Sequence, residues 1–342
     1  MRVAELVGVR QFRLVEEPIT DPGPGEVQVR VEAVGICGSD MHSYAEGAVG
    51  DTACVYPMVL GHEPAGTVVR LGAGVGGLAV GDRVACEPAL FCYHCELCQT
   101  GRHNLCTAMR FLSTPGHPGF FRETVNLPVA NAAVLPRGLG PNEGALVEPL
   151  SVALHSLRLS PPSLGETAVV FGAGPIGLLT VAALKLAGCG RVYAVEPLPH
   201  RREMATRMGA DAALTPADAV KAVLADTGGR GVDLVLDCAA KADTYNACLQ
   251  VARPGGRVVY TGIGTELRVP MDVHTWRRKE LAIWQVRRAN REDRAALDLL
   301  ARHPKLFGPL VTHSRSLEEI DQAFALVESY GDGVGKLVVR PA

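Results

Sequence analysis

The segment 168–177 limits the fold more than any other. Residues 168–171 form a short apolar run that reads as a strand, and it passes directly into Gly172-Ala173-Gly174-Pro175-Ile176-Gly177 and an apolar helix. A strand followed by a glycine turn and a helix commits the chain to a crossover connection, which belongs to a parallel sheet. The texture repeats downstream. Residues 191–196 read as a strand before a charged helix, 232–237 as another, and 257–261 as a fourth after the Pro254-Gly255-Gly256 turn. The expectation is an α/β fold with a doubly wound parallel sheet.

The first third differs. β-rich runs at 27–31, 65–70 and 83–86 alternate with Gly, Pro and Asp punctuation and little helical periodicity, which suggests a twisted, barrel-like β domain. Residues 316–330 carry an amphipathic helical pattern that opens at Ser316 with Glu319 three residues on, a capping box. Residues 335–339 then read as a last strand that returns to the first domain. With 342 residues, two domains are expected: 1–150 joined by 285–342, and 151–284 as the parallel-sheet domain. No internal repeat or low-complexity segment interrupts this plan.

The glycine turn also carries chemistry. Gly172, Gly174 and Gly177, with Pro175 and Ile176, permit a tight turn and the approach of a pyrophosphate to a helix N-terminus. The next strand ends in Glu196, nineteen residues past Gly177, where a carboxylate accepts hydrogen bonds from both ribose hydroxyls and repels a 2′-phosphate. The cofactor expected is therefore NAD. Arg201, one turn further, is either a solvated helix residue or a ribose contact. Thr261, Gly262 and Ile263, where the fourth strand ends, are further candidate cofactor contacts, as is Arg287. The plainer alternative for the whole motif is a glycine-rich connection beside a surface acid.

Charge and composition exclude other classes. A net charge of -2 without a run of five or more like charges offers no basic surface for nucleic acid or anionic lipid. The uncharged stretch 167–184 approaches the roughly 20 residues of a membrane span, but Gly172, Gly174, Pro175 and Gly177 interrupt it. The first residues lack the apolar core of a secretory signal, so a cytoplasmic location is expected. Of ten cysteines, four crowd between Cys92 and Cys106, which in a reducing compartment reads as metal ligation.

Those four, Cys92, Cys95, Cys98 and Cys106, have the spacing C-x2-C-x2-C-x7-C, so one loop can fold four thiolates around a single zinc. Ligand type alone also admits an iron–sulfur cluster. A site closed by four thiolates has no position for substrate and is expected to be structural. A catalytic zinc needs fewer protein ligands. Cys37 in Gly35-Ile36-Cys37-Gly38-Ser39-Asp40, His62 and Glu63 in Gly61-His62-Glu63-Pro64, and Glu148 in Val147-Glu148-Pro149-Leu150-Ser151 are the candidates. Singly each has a bland reading: a small buried residue, a hydrogen-bonded turn histidine, a carboxylate at a helix start.

Together these segments change the odds. Gly-Ile-Cys-Gly-Ser-Asp-Met-His at 35–42, Pro-Met-Val-Leu-Gly-His-Glu at 57–63, Gly-Asp-Arg-Val-Ala at 81–85, Glu-Pro-Leu-Ser-Val-Ala-Leu-His at 148–155 and the glycine turn occur in one order. Over the whole chain this resembles the zinc-containing medium-chain dehydrogenases, and within them the sorbitol (polyol) dehydrogenase branch. The resemblance implies a GroES-like β-rich catalytic domain beside a Rossmann domain. It also implies a catalytic zinc on Cys37 and His62, with Glu63 and Glu148 as alternative or water-mediated third ligands. Ser39 and His42 would relay the released proton. Tyr44, Phe111 and Thr114 match positions that line the family's pocket, and Arg287 matches an arginine that binds polyol hydroxyls.

Arg288 stands where the polyol branch usually has tyrosine, and the four-cysteine loop, usually missing from animal members, points to a microbial-type relative. His155 reads as a core histidine, and Cys189, Cys238 and Cys248 as core residues without metal spacing. A small-molecule alcohol is the implied partner, with a homo-oligomer, dimer or tetramer, by resemblance. The rivals are threonine, butanediol and simple secondary-alcohol dehydrogenases, a sugar dehydrogenase using NADP, which Glu196 argues against, and a non-catalytic zinc scaffold such as the lens crystallins.

Overall fold

Two hydrophobic cores form because the apolar residues follow two different periodicities. In the strand Glu26–Gly35, Val27, Val29, Val31 and Ala33 recur at every second position and all are fully buried, the pattern of a sheet with one packed face. In Val232–Asp237 every residue is buried, the pattern of a strand covered on both faces. The computed structural model describes all 342 residues. It divides the chain into one unit of Met1–Ser151 with Asn290–Ala342 and another of Val152–Ala289.

The first unit is built on a seven-stranded sheet. Its path runs Ala132–Val134, Arg83–Cys86, Glu63–Leu71, Glu26–Gly35, Lys336–Arg340 and Val311–Ser316, and Thr124–Pro128 also pairs with Glu26–Gly35. The last strand, Lys336–Arg340, lies antiparallel to Glu26–Gly35, with Val338 opposite Gly35. The chain's end thus sits beside its most central strand. Phe120, Phe121, Leu60 and Phe324 fill the core without exposure, each burial contributing about 1.5–3 kcal/mol. The tail helix spans Ile320–Ser329 after a tighter turn at Leu317–Glu319, and the Ser316 N–H donates to the Glu319 carboxylate at 2.9 Å.

The second unit is a six-stranded, wholly parallel sheet in the order Ala212–Leu214, Arg191–Val195, Thr167–Phe171, Val232–Asp237, Ala252–Tyr260, Ala282–Gln285. The chain reverses direction across the sheet between Thr167–Phe171 and Val232–Asp237, the point where ligands bind in doubly wound folds. The expected strand at 257–261 is longer than its apolar run. Pairing starts at Ala252, opposite Val232, and the register jumps so that Leu234 meets Arg257. Pro254-Gly255-Gly256 is therefore a bulge inside the strand rather than a turn before it. No helix of the chain is long and apolar enough to cross a membrane.

Candidate metal centres and nucleotide site

The loop that carries Cys92, Cys95, Cys98 and Cys106 brings its four sulfurs to one point. Cys92 and Cys106 sulfurs lie 3.5 Å apart, and the Cys92–Cys98 and Cys95–Cys106 pairs 3.9 Å. Thiolates about 2.3 Å from a tetrahedral ion stand about 3.8 Å from one another, so the loop fits a single zinc. A cluster whose sulfurs bind separate irons needs wider spacing. Backbone N–H groups already point at the sulfurs: Cys92 N–H at Cys106 Sγ, 3.4 Å, and Cys95 N–H at Cys92 Sγ, 3.3 Å. N–H groups of Cys98 and Thr107 pull the Cys95 thiol down to about 5, whereas burial and the neighbouring sulfurs push Cys98 up to about 12. Four thiolates cannot share this space without a cation.

A second cluster joins Cys37, His62 and Glu63, whose ligand atoms all lie within 4.8 Å of one another. Cys37 precedes the helix Gly38–Glu46, and His62 and Glu63 stand where the strand Glu63–Leu71 begins. Asp40, 1% exposed, ties these pieces together. It accepts the N–H of Cys37 at 3.0 Å, the N–H of Gly61 at 3.3 Å and the Ser113 hydroxyl at 3.2 Å, and it faces His62 Nδ1 at 3.3 Å. Nδ1 is thereby engaged and Nε2 is left as the ligand atom, with Ser39 Oγ 3.4 Å from it. Burial would raise the Asp40 carboxyl, but the His62 ring and the two N–H groups hold it below its usual range. Burial would lower His62, and Asp40 and Cys37 raise it well above the ordinary value instead.

His62 therefore holds a proton more readily than a free imidazole, and a sulfur, an imidazole and a carboxylate so placed suit a divalent cation. Three ligands leave a position open, which fits a catalytic rather than a closed zinc. Glu148, near the start of the helix Val147–Leu159, has a carboxyl pushed up to about 8. Burial is the main cause, the carboxylates of Glu63 and Glu87 add to it, and His62 and Lys336 oppose it. Phe111 packs beside the site, its ring tilted against that of His62 with centroids 5.5 Å apart. Thr114 donates to the Phe111 carbonyl at 2.6 Å and so braces that residue's backbone.

Not every pocket candidate joins the cluster. The Tyr44 ring packs in the core against Phe324 at 4.9 Å and Phe12 at 5.7 Å, so its expected place in a substrate pocket gives way to a packing role. His42 lies on the Gly38–Glu46 helix and meets Glu46 four residues on at 3.0 Å. Arg287 is exposed in the segment after Ala282–Gln285, and His155 is buried on the Val147–Leu159 helix.

In the second unit the glycine turn has the shape a pyrophosphate needs. Gly174 precedes the helix Pro175–Leu186, with Pro175 at its first position. A Cβ on Gly177 would lie 1.8 Å from the Gly172 carbonyl oxygen, so only glycine lets the turn close. Glu196 is buried beside it and accepts the N–H of Ala173 at 2.8 Å and of Leu198 at 3.1 Å. Arg201 is also buried, its guanidinium 3.8 Å from where a Cβ on Gly174 would stand. Thr261 and Gly262 donate backbone N–H bonds to the Asp237 carbonyl, Thr261 Oγ1 meets Ser156 Oγ at 3.0 Å, and Ile263 is exposed. The residues of this turn fit a dinucleotide.

Two residues of the metal cluster escaped the sequence reading. Asp40 was visible only as part of Gly-Ser-Asp, although an acid three residues past Cys37 is a helix-start signal. Lys336 was visible only as part of a strand. Its side chain is 1% exposed, pairs with Glu63 and donates to the Ile36 carbonyl at 3.0 Å. A lysine inside the apolar run Val334 to Val339 is itself the signal, because a buried ammonium requires an acid partner.

Comparison with known proteins agrees with this geometry. A family model described as "Alcohol dehydrogenase GroES-like domain" matches residues 23–137, and one described as "Zinc-binding dehydrogenase" matches 175–302. The "Probable D-xylulose reductase A" of Aspergillus clavatus is 36% identical over 97% of this chain and 95% of its own length. The sorbitol dehydrogenase of Bacillus subtilis is 33% identical over 100% of this chain and 97% of its own. Among solved structures, 2R,3R-butanediol dehydrogenase from Bacillus subtilis superimposes with a TM-score of 0.88 at 31% identity, covering 100% of this chain and 99% of that one. With full-length relatives at this identity and both halves matched in order, the chain belongs to the zinc-binding dehydrogenases that carry an alcohol dehydrogenase GroES-like domain.

Proposed function

We propose that the protein oxidises a secondary hydroxyl of a polyol or vicinal diol to a ketone, passing hydride to NAD and a proton to solvent. The observation that carries this reading is the contrast between two clusters in one unit: four sulfurs placed to enclose a single ion, and Cys37, His62 and Glu63, three ligands that would leave a position open. The first holds a structural zinc and the second a catalytic one, with Glu148 as an alternative or water-mediated ligand. When bound, zinc supplies Lewis acidity toward the substrate hydroxyl and NAD accepts the hydride.

The chain's own residues do the rest. Asp40 fixes the His62 ring so that Nε2 faces the ion. Ser39, beside that nitrogen, takes the hydroxyl proton, and His42 passes it outward with Glu46 as its partner. Phe111 and Thr114 wall the site. In the other unit, Gly172, Gly174, Pro175, Ile176 and Gly177 hold the pyrophosphate of NAD, and Glu196 and Arg201 hold its adenosine ribose. Thr261, Gly262 and Ile263 line the strand end. Arg287 serves the cofactor or the remote hydroxyls of a long polyol.

Named relatives that act on xylulose, sorbitol and butanediol support the substrate class. NAD reduction with sorbitol, xylitol, 2,3-butanediol, threonine and a simple secondary alcohol tests it. Turnover of polyols or diols ahead of threonine and the simple alcohol is expected, and no turnover of any would overturn the reading in favour of a zinc scaffold. We also assign a homo-oligomer and a reducing, cytoplasmic setting. The strand Ala282–Gln285 leaves one sheet edge open, with Trp284 44% and Trp276 39% exposed nearby, and all ten cysteines are unpaired. Sedimentation that finds only monomer would refute the assembly.

A further inference from the structure

Where the chain passes from the second unit back to the first, it is held on both sides of a three-residue stretch. On one side the Val286 N–H donates to the Tyr260 carbonyl at 2.9 Å, which ties it to the parallel sheet. On the other, the side chain of Asn290 reaches the four-cysteine loop: Nδ2 donates to the Gly101 carbonyl at 2.8 Å, and Oδ1 accepts the Asn104 N–H at 3.4 Å. Between these anchors stand Arg287, Arg288 and Ala289. Arg288 and, just beyond, Arg291 have φ of 57° and 67°, left-handed values that a residue with a side chain keeps only where its surroundings impose them. The Asn290 N–H meets the carboxylate of Glu292, a residue 1% exposed. The crossover is thus fixed in one conformation, and the four-cysteine loop supplies one of its two supports.

Both groups that Asn290 grips lie among the residues between Cys98 and Cys106. Each belongs to a turn that carries a sulfur. Gly101 follows the short helix Glu96–Gln99 that holds Cys98, and its own N–H returns to the Cys98 carbonyl at 3.1 Å. Asn104 lies in the turn His103–Leu105, and the next residue, Cys106, donates its N–H to the His103 carbonyl at 2.9 Å. Apart from Leu105, this excursion has no apolar side chain with which to build a core. A metal on Cys98 and Cys106 fixes both its ends, and its shape depends on that metal. We infer that the closed zinc site anchors the crossover, that Asn290 is the positioning residue through which it does so, and that it thereby sets where Arg287 stands. The inference rests on the assignment of the four sulfurs to one zinc and of Arg287 to the cofactor or the substrate. It gives a zinc with no position for substrate a part in ligand binding.

Hydrogen exchange of residues 286–292 in the zinc-loaded protein tests this without reference to turnover. Asn290→Ala should accelerate it by at least about tenfold, the effect of losing one or two net hydrogen bonds. Cys98→Ser should do the same, and the double variant should exceed Asn290→Ala alone by no more than about twofold, because the zinc acts through Asn290. Coupling is reciprocal, so Asn290→Ala should weaken zinc binding at the closed site by a similar factor, measured against a competing chelator. That titration decides the matter if Cys98→Ser does not fold. Asn290→Ala should also raise KM for NAD or for sorbitol by at least about threefold with kcat kept, part of the loss of one charged hydrogen bond, whereas a merely structural asparagine would leave both KM values alone. Unchanged exchange in Asn290→Ala, or additive acceleration in the double variant, would overturn the proposal, as would a KM that Arg287→Ala raises and Asn290→Ala does not. If Arg287→Ala itself moves neither KM, the reading of Arg287 has failed instead, and exchange and zinc titration still decide the anchor. If Cys98→Ser keeps every zinc of the wild type, the four-sulfur assignment has failed.

Discussion

Asp40→Asn should unfasten the open metal site without touching a ligand. The carboxylate is 1% exposed and one of its oxygens faces the Gly61 N–H, the Ser113 hydroxyl and His62 Nδ1, while the other accepts the Cys37 N–H. An asparagine oxygen can replace the first, but its NH2 then points at the Cys37 N–H, donor against donor. One bond is lost with its buried N–H left unpaired, at about 1–3 kcal/mol, and three bonds lose the advantage of an ionised acceptor. Allowing for relaxation, the sum is about 3 kcal/mol. For a unit of this size that lowers the melting midpoint by roughly 6–12 °C. The His62 ring also loses the partner that fixes its tautomer, so zinc at this site should bind about 10–100-fold more weakly. Calorimetry and zinc titration with a competing chelator measure both. Wild-type zinc affinity in a variant that melts early would refute the reasoning, since Asp40 would then be structural alone.

Other consequences are as specific. Cys98→Ser should leave about one zinc per chain and a lower melting temperature with NAD reduction retained by the folded fraction, because only the closed site is broken; a stable protein with two zincs would refute it. Asp233 binds Arg230 and Arg253, each at 2.6 Å, and the Thr167 N–H at 2.9 Å. Burial would raise its carboxyl, but these partners hold it well below the usual range. A depressed folded-state pKa contributes stability above the unfolded value of about 3.9, and that contribution is lost as the pH falls below it. Asp233→Asn should therefore be less stable than wild type by about 2–4 kcal/mol at pH 7, with the gap closing below about pH 4; a gap constant with pH would contradict this. Glu196→Ala should weaken NAD binding about 10–100-fold and NADP binding far less; equal losses for both would remove Glu196 from the ribose.

The fold was legible wherever local periodicity and tertiary burial agree. Val232–Asp237 is apolar because it is covered on both faces, and its sequence says so. The bulge at 253–256 was not legible, because Pro-Gly-Gly has the chemistry of a turn and only pairing with Val232 keeps Ala252 in the sheet. The four-cysteine loop is local, so spacing alone defines its shape. The open cluster assembles from positions far apart in the chain, and only the recurrence of family segments joined Cys37 to His62 and Glu63. Tyr44 matched a pocket position, yet Phe12 and Phe324 enclose its ring. Lys336 reads as one polar residue in a strand until the neighbouring Gly35 shows the room made for it.

Zinc content and turnover of Cys37→Ser test the central claim, that the open three-ligand cluster is the centre of the chemistry. The change removes one ligand from that cluster and leaves Cys92, Cys95, Cys98 and Cys106 intact. The account predicts about two zincs per chain in the wild type and one in the variant, an unchanged far-ultraviolet spectrum, and a loss of polyol-dependent NAD reduction of at least about a thousandfold, the several kcal/mol a Lewis acid supplies. Two retained zincs with wild-type turnover would contradict it.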